Sequence, residues 1–247
     1  MTRTALAREA AAIEVLLAPL GTAGRAEGSK AYLKSDLRFL GNDLPTMRVE
    51  ARTWRLAHDD WDLDDLLELT QALWRRKVFE LRIFALVLLV KDAAKFEPRH
   101  LDSLEALLRD SHTWALVDEI APRMVGPLLE RHPREVGRVL DRWANDEDFW
   151  IRRAALLALL LPMRRGEGDW KRFERYADPL LEDREFFICK AIGWVLREAA
   201  KQDPSRVVAF VEPRASRLSG VTWREATRKL PAAVRQRLDA RRSAGVD

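Results

Sequence analysis

Two similar stretches, 37 residues apart, decide how this sequence folds. They read Phe149-Trp150-Ile151-Arg152-Arg153-Ala154-Ala155-Leu156 and Phe186-Phe187-Ile188-Cys189-Lys190-Ala191-Ile192-Gly193. Each starts with aromatic residues and continues with a basic residue among small apolar ones. This pattern suits a helix that packs tightly inside a stack of helices and presents Arg or Lys at its surface.

Further copies of the pattern occur before and after these two. Moving back 37 residues from Phe149 leads to His112, beside the stretch 114–118, and 79–86 is another copy 33 residues earlier. Residues 222–226 form a degenerate fifth copy. A period in the thirties with two helices per unit is the signature of an α-solenoid. We therefore predict one α-solenoid domain of tandem helix pairs over residues 1–247, coiled into a single curved superhelix, with a frayed tail at about 240–247.

The rest of the chain also indicates helix. Apolar residues recur at helical spacing, as in Val78, Leu81, Phe84, Ala85 and Leu88, and no alternating strand pattern persists. Helix-breaking residues divide the chain into segments of ordinary helix length. They lie at Gly41–Pro45, Glu97–Pro98, His132–Pro133, Gly166–Gly168, Asp203–Pro204 and Ser219–Gly220. The sequence predicts an all-α fold.

Composition narrows the class of protein. The chain has 247 residues, 47% of them hydrophobic, with 43 Lys+Arg against 39 Asp+Glu. Residues 201–247 carry 11 basic and 5 acidic residues, which weakly favours a polyanionic partner. The longest apolar run, Ile83–Val90, is far shorter than the ~20 residues of a membrane span, and no signal peptide is visible. With a single cysteine, a disulfide within the chain is excluded, and we expect a cytoplasmic monomer.

The usual catalytic and ligand motifs are missing from the sequence. We find no Gly-rich phosphate loop, no His-Glu-x-x-His and no Gly-x-Ser-x-Gly. The four histidines lack metal-ligand spacing and are interpreted as surface or capping residues, and Cys189 as a core residue. We therefore expect no metal and no cofactor.

What remains is a set of Trp, Asp and Arg residues at equivalent places in successive repeats. Trp114 and Asp118 are four residues apart and share a helix face, and Arg153 has the same register one repeat later. Trp194 and Arg197 share a face of the next repeat's helix. Because equivalent positions stack in a solenoid, these side chains would line one concave groove. Arginines bind phosphates, indoles lie against sugars or bases, and a carboxylate stabilises a cationic transition state.

Structural roles explain many of the same residues. A Trp in an apolar helix is more often core, and we assign Trp54, Trp74, Trp143 and Trp170 to that role. Asp118 could equally be a surface charge or a partner of Arg123 or Arg153. Spacing alone leaves both interpretations open.

The sequence also resembles the DNA alkylation repair family of HEAT-like repeat glycosylases, the AlkD type, from about residue 25 to 230. The stretches that carry the resemblance are 32–34, 39–41, Trp74 with Glu80, 114–118, 149–153 and 186–198. The resemblance implies an α-solenoid enzyme that excises N3- and N7-alkylated purines from duplex DNA without metal or cofactor.

The resemblance also implies roles for single residues. It casts Asp118 as the catalytic carboxylate, with Trp114 and Trp194 as the indoles at the lesion's deoxyribose and backbone. Arg153 matches the family's phosphate-binding arginine and Tyr32 a further DNA contact. The physical argument adds Arg197 and Lys190 as DNA-binding residues.

One departure from the family and one alternative function accompany this assignment. A lysine expected eight residues after Arg153 is replaced by Leu161, and Arg164 and Arg165 lie one turn later. The alternative function is a non-catalytic module that binds DNA structures or another protein through the same surface. Asp118 favours the enzyme, because related proteins that lack the carboxylate bind DNA without excising bases.

Overall fold

The computed structural model describes residues 2–244, and over this range the chain is all-α, as predicted. Its only β-type pairing among the described residues is an isolated bridge between Arg38 and Val78. The chain divides into two compact units, one ending at Arg131 and the other beginning at His132.

The helices of the N-terminal unit follow one another through short connections. They are α1 (Arg3–Leu17), α2 (Ala23–Leu33), α3 (Leu44–Ala57), α4 (Leu63–Trp74), α5 (Phe79–Lys91), α6 (Leu101–Arg109), α7 (Trp114–Ile120) and α8 (Gly126–Arg131). A π-helical turn, Ala121–Val125, joins α7 to α8.

The C-terminal unit is built in the same way. Its helices are α9 (Glu135–Trp143), α10 (Phe149–Leu157), α11 (Leu160–Arg165), α12 (Trp170–Leu180), α13 (Phe186–Ala199), α14 (Pro204–Val211), α15 (Gly220–Thr227) and α16 (Ala232–Ala244). Helix α16 continues through residues 240–244, where the sequence predicted a frayed tail, and residues 245–247 lie outside the described part. The single domain and the single superhelix concern both units together and stay predictions.

The repeat alignment corresponds to the starts of helices. Phe79, Trp114, Phe149 and Phe186 are the first residues of α5, α7, α10 and α13. The side chains of Thr113 and Asp148 cap two of these starts by accepting a backbone N–H. Two residues that the alignment made equivalent, Trp150 and Phe187, pack with their ring centroids 5.0 Å apart. The predicted breaks all lie between helices or at helix starts, so the sequence pattern located the helix boundaries correctly.

A tightly packed loop positions α2 within the N-terminal unit. The buried carboxylate of Glu80 accepts the backbone N–H groups of Leu40 at 2.9 Å and Gly41 at 2.8 Å. The Gly41 carbonyl in turn accepts the N–H of Thr22, the N-cap of α2, at 3.1 Å. Since α2 buries only Leu33, this loop supplies much of what holds the helix in place.

Candidate functional site

The first part of the site lies on α7. Trp114 is the first residue of this helix and Asp118 lies one turn later, so the two share a face as predicted, and both are partly buried. The opposite face carries the buried Leu116, Val117 and Ile120. These apolar contacts fix the rotation of the helix and so direct the Trp114–Asp118 face away from the core.

Tyr32, which the resemblance predicts as a further DNA contact, lies against this face. Its ring meets the Trp114 indole edge-on, with centroids 5.7 Å apart and planes at 84°. The Tyr32 side chain is 73% exposed although it is a large aromatic residue. The structure therefore brings Tyr32 and Trp114 together at the surface. Trp114 is one helical turn from Asp118.

A local helix distortion follows directly after Asp118. Pro122 has no N–H, so the carbonyl of Asp118, four residues earlier, cannot receive its α-helical hydrogen bond. The chain continues as the π-helical turn, in which Gly126 donates to Ala121. Single π-helical turns within helices occur frequently at functional sites.

The turn that leads into α7 is held by an arginine that the sequence analysis did not single out. Arg82 on α5 is fully buried and donates to the backbone carbonyl of Asp110, to its carboxylate at 2.9 Å and to the carbonyl of Trp74 at 3.2 Å. Burial lowers the pKa of Arg82, partly offset by the charge of Asp110. The only sequence signal is a basic residue inside the most apolar stretch of the chain.

Arg153, the predicted phosphate-binding arginine, is buried in the C-terminal unit. Its side chain donates to the carbonyl of Phe187, its guanidinium lies 5.8 Å from the Phe187 ring centroid, and the residue is only 2% exposed. Little of its surface is therefore accessible to a phosphate group in this conformation. Its role toward DNA stays a prediction.

The remaining predicted residues lie on one face of α13, at positions 190, 194 and 197. Trp194 is partly exposed, whereas Lys190 and Arg197 both form ion pairs with one carboxylate, that of Glu225 on α15. Both cations pair with the single carboxylate of Glu225, so the three side chains together carry one net positive charge. The sequence analysis assigned Lys190 and Arg197 to DNA binding, and the structure shows their charge partly neutralised.

Close packing of α13 against α15 makes this ion-pair cluster possible. A Cβ at Gly193 would lie 2.6 Å from the Glu225 Cβ, so only glycine allows this approach. Burial raises the pKa of Glu225, but the hydrogen bond from Lys190 and the charges of Arg197 and Lys190 outweigh it and lower the pKa overall. The carboxylate is therefore ionised at neutral pH. Its sequence signal was an acid in the degenerate fifth repeat copy.

We expect Glu225→Gln to raise the affinity for undamaged duplex DNA by about three- to tenfold at low salt. The substitution releases Lys190 and Arg197 to contact phosphates, so the salt dependence should also steepen by about one unit in the log–log slope. Fluorescence anisotropy in a salt titration measures both quantities. Glu174→Gln on α12 is the control with the same charge change, and equal behaviour of the two variants would contradict this prediction.

The remaining sequence assignments have simple structural outcomes. Arg164 pairs with Glu198 at 2.7 Å, Arg165 with Glu167 at 2.8 Å, and Arg123 with Glu119 at 3.0 Å. Core residues were correctly assigned at Trp54, Trp74, Trp143 and Cys189, whereas Trp170 is partly exposed.

The described residues include neither a candidate metal site nor a helix that could span a membrane. Within residues 2–244, no group of three or more His, Cys, Asp or Glu side chains is placed to hold a metal ion. Over the same range, no helix has the length and apolar character needed to cross a membrane.

Asp118, Trp114 and Tyr32 belong to the N-terminal unit, and Arg153, Lys190, Trp194 and Arg197 to the C-terminal unit. A single groove that joins them stays a prediction. Consecutive short helices, several of which begin at an aromatic residue, define a class of all-α helical-repeat proteins.

Comparison with known proteins supplies the family. The sequence profile of the DNA alkylation repair enzymes matches residues 13–230, and the chain belongs to this family. A solved structure, a predicted DNA alkylation repair enzyme from Enterococcus faecalis, is similar in fold, with a TM-score of 0.78 at 23% identity. The alignment covers 86% of this chain and 97% of that one. No curated protein matches the chain.

Proposed function

We propose that this protein is a monofunctional DNA glycosylase that hydrolyses the N-glycosidic bond of N3- or N7-alkylated purines in duplex DNA. The observation that carries the proposal is the α7 face, where a carboxylate and an indole lie one turn apart in a member of a DNA alkylation repair family. Tyr32 extends this face with a second exposed aromatic ring.

The chemistry needs only one carboxylate. An N3- or N7-alkylated purine is cationic, so it leaves without protonation and the reaction requires no general acid. The C1′–N bond breaks with its electron pair going to the purine, which becomes neutral, while positive charge develops on the deoxyribose. Asp118 stabilises this charge and accepts the proton of the water whose oxygen bonds to C1′. The products are the free base and an abasic site.

The aromatic residues position the substrate. In this proposal Trp114 and Trp194 lie against the deoxyribose and backbone at the lesion, and Tyr32 makes a further contact with the DNA. Stacking on an indole does not depend on the base sequence. Little sequence preference is therefore expected.

Base release from methylated duplex DNA tests this function. We expect wild-type protein to release 7-methylguanine or 3-methyladenine, detected by chromatography of the ethanol-soluble fraction, and to leave abasic sites with the strand uncut. A duplex with a bulkier cationic adduct at purine N7 is the second substrate. Failure to release either methylated or bulky bases, with duplex binding intact, would favour the non-catalytic module.

A further inference from the structure

The N-terminal unit contains a cavity that is formed by elements other than α7. It has a volume of about 420 Å³ and is lined by α1, by the end of α4 and the turn after it, and by the loop between α2 and α3. Its walls carry three arginines, Arg38, Arg75 and Arg76, against one acid, Glu14, and its floor is made of small residues. A cavity of this size can hold a small ligand, and its lining carries two net positive charges.

The fold gathers these arginines from two segments of the chain. Arg38 donates its backbone N–H to the carbonyl of Lys77 at 3.0 Å and accepts the N–H of Phe79 at 2.9 Å. This short bridge fixes Arg38 beside the turn that carries Arg75 and Arg76. Lys77, with φ of 54°, reverses the chain there without glycine.

Glu14 orients two of the three guanidinium groups. Its carboxylate accepts from Nη2 of Arg38 and from Nε of Arg76, and its side chain is 14% exposed. Burial raises the pKa of Glu14, but the hydrogen bonds and charges of both arginines outweigh it and lower the pKa overall. Each guanidinium has five N–H donors, so most donors of Arg38 and Arg76 remain for another acceptor.

Arg75 completes the cluster without a partner of its own. Its exposed side chain makes no hydrogen bond or ion pair with any other residue of the described part. The C-terminal end of α4 favours a nearby cation, which accounts for one arginine there. It does not account for Arg38, which comes from a different segment.

We propose that the cavity formed by Arg38, Arg75 and Arg76 around Glu14 binds a phosphate group. Guanidinium groups match the oxygens of phosphate in pairs, and Glu14 holds two of them in place before the ligand arrives. The phosphate belongs either to a nucleic-acid backbone outside the lesion contacts or to a free phosphate ester. Both present non-bridging phosphate oxygens that guanidinium groups can bind.

Arg75→Gln tests the proposal, because it removes one cation without breaking the Glu14 ion pairs. For the backbone phosphate, affinity for undamaged duplex DNA should fall about three- to tenfold at low salt, with the log–log salt slope shallower by about one. For the free ester, inorganic phosphate should raise the midpoint of thermal unfolding of wild type above that in chloride of equal ionic strength, and should not do so for the variant. Arg48→Gln, an exposed arginine on α3 away from the cavity, is the matched control.

The two arms distinguish the sources. A weaker duplex affinity with a shallower slope, confined to Arg75→Gln, identifies a backbone contact, and a phosphate effect alone identifies a site for a free ester. If Arg75→Gln and Arg48→Gln behave alike in both arms, the proposal is wrong. Neither arm uses damaged DNA or base excision, so this outcome is independent of the glycosylase function.

Discussion

Asp118→Asn is expected to lower the rate of 7-methylguanine release by at least about 100-fold. Asparagine keeps the size of the side chain and one hydrogen-bond acceptor but removes the negative charge. The transition state would then develop positive charge on the deoxyribose without a nearby anion, and the attacking water would lose its proton acceptor. Single-turnover base release from methylated duplex, compared with wild type, measures the effect.

The same substitution should leave DNA binding equal or tighter. A carboxylate at a DNA-binding surface repels phosphate, so its removal reduces an unfavourable interaction. An activity loss together with unchanged or stronger binding is therefore the signature of a catalytic carboxylate. Anisotropy with undamaged duplex gives the binding constant.

Glu119→Gln is the matched control for Asp118→Asn. Glu119 is the next residue of α7, pairs with Arg123 at 3.0 Å and undergoes the same change of charge. We expect its rate of base release to stay within about threefold of wild type, since an exposed ion pair contributes little. Equal losses of activity in the two variants would point to destabilisation of the helix. If wild type releases no base and Asp118→Asn binds DNA more weakly, the non-catalytic alternative is supported.

The part of the site that sequence could predict is the part set by local spacing. Trp114 and Asp118 are one turn apart in any helix, and the repeat placed helix starts at Phe79, Phe149 and Phe186. These inferences need only the helical period and the equivalence of repeats. Neither depends on which distant side chain lies opposite.

The rest depends on partners that no local pattern reveals. Lys190 and Arg197 look like free cations in the sequence of α13, yet Glu225 neutralises part of their charge from the next repeat. Arg153 has the expected register but donates to the carbonyl of Phe187 and is buried. The cluster around Glu14 likewise requires a backbone bridge between residues 38 and 78. Long charged side chains can reach several acceptors, and only the packing of helices selects one.

The second large effect is expected on stability, from a substitution at the closely packed Gly41. Gly41→Ala is expected to lower the free energy of unfolding of the N-terminal unit by about 3 kcal/mol or more. Gly41 has φ of 84°, and a Cβ there would lie 2.1 Å from the carbonyl oxygen of Thr22 and 2.8 Å from the backbone nitrogen of Ala26. These are backbone atoms of α2 and its N-cap, which cannot move aside without displacing the helix. The hydrogen bond from Thr22 N–H to the Gly41 carbonyl would be strained as well.

Gly28→Ala, also in α2, is a control for which we expect the opposite change in stability. A Cβ at Gly28 meets nothing within 4 Å, so alanine should stabilise the helix by about 0.5–1 kcal/mol. Thermal unfolding followed by circular dichroism should show a midpoint lower by roughly 10 °C for Gly41→Ala and slightly higher for Gly28→Ala. Because α2 carries Tyr32, the Gly41 variant should also lose the ring contact with Trp114 and bind duplex DNA more weakly. Equal midpoints for the two variants would mean that the loop does not hold α2 against the unit.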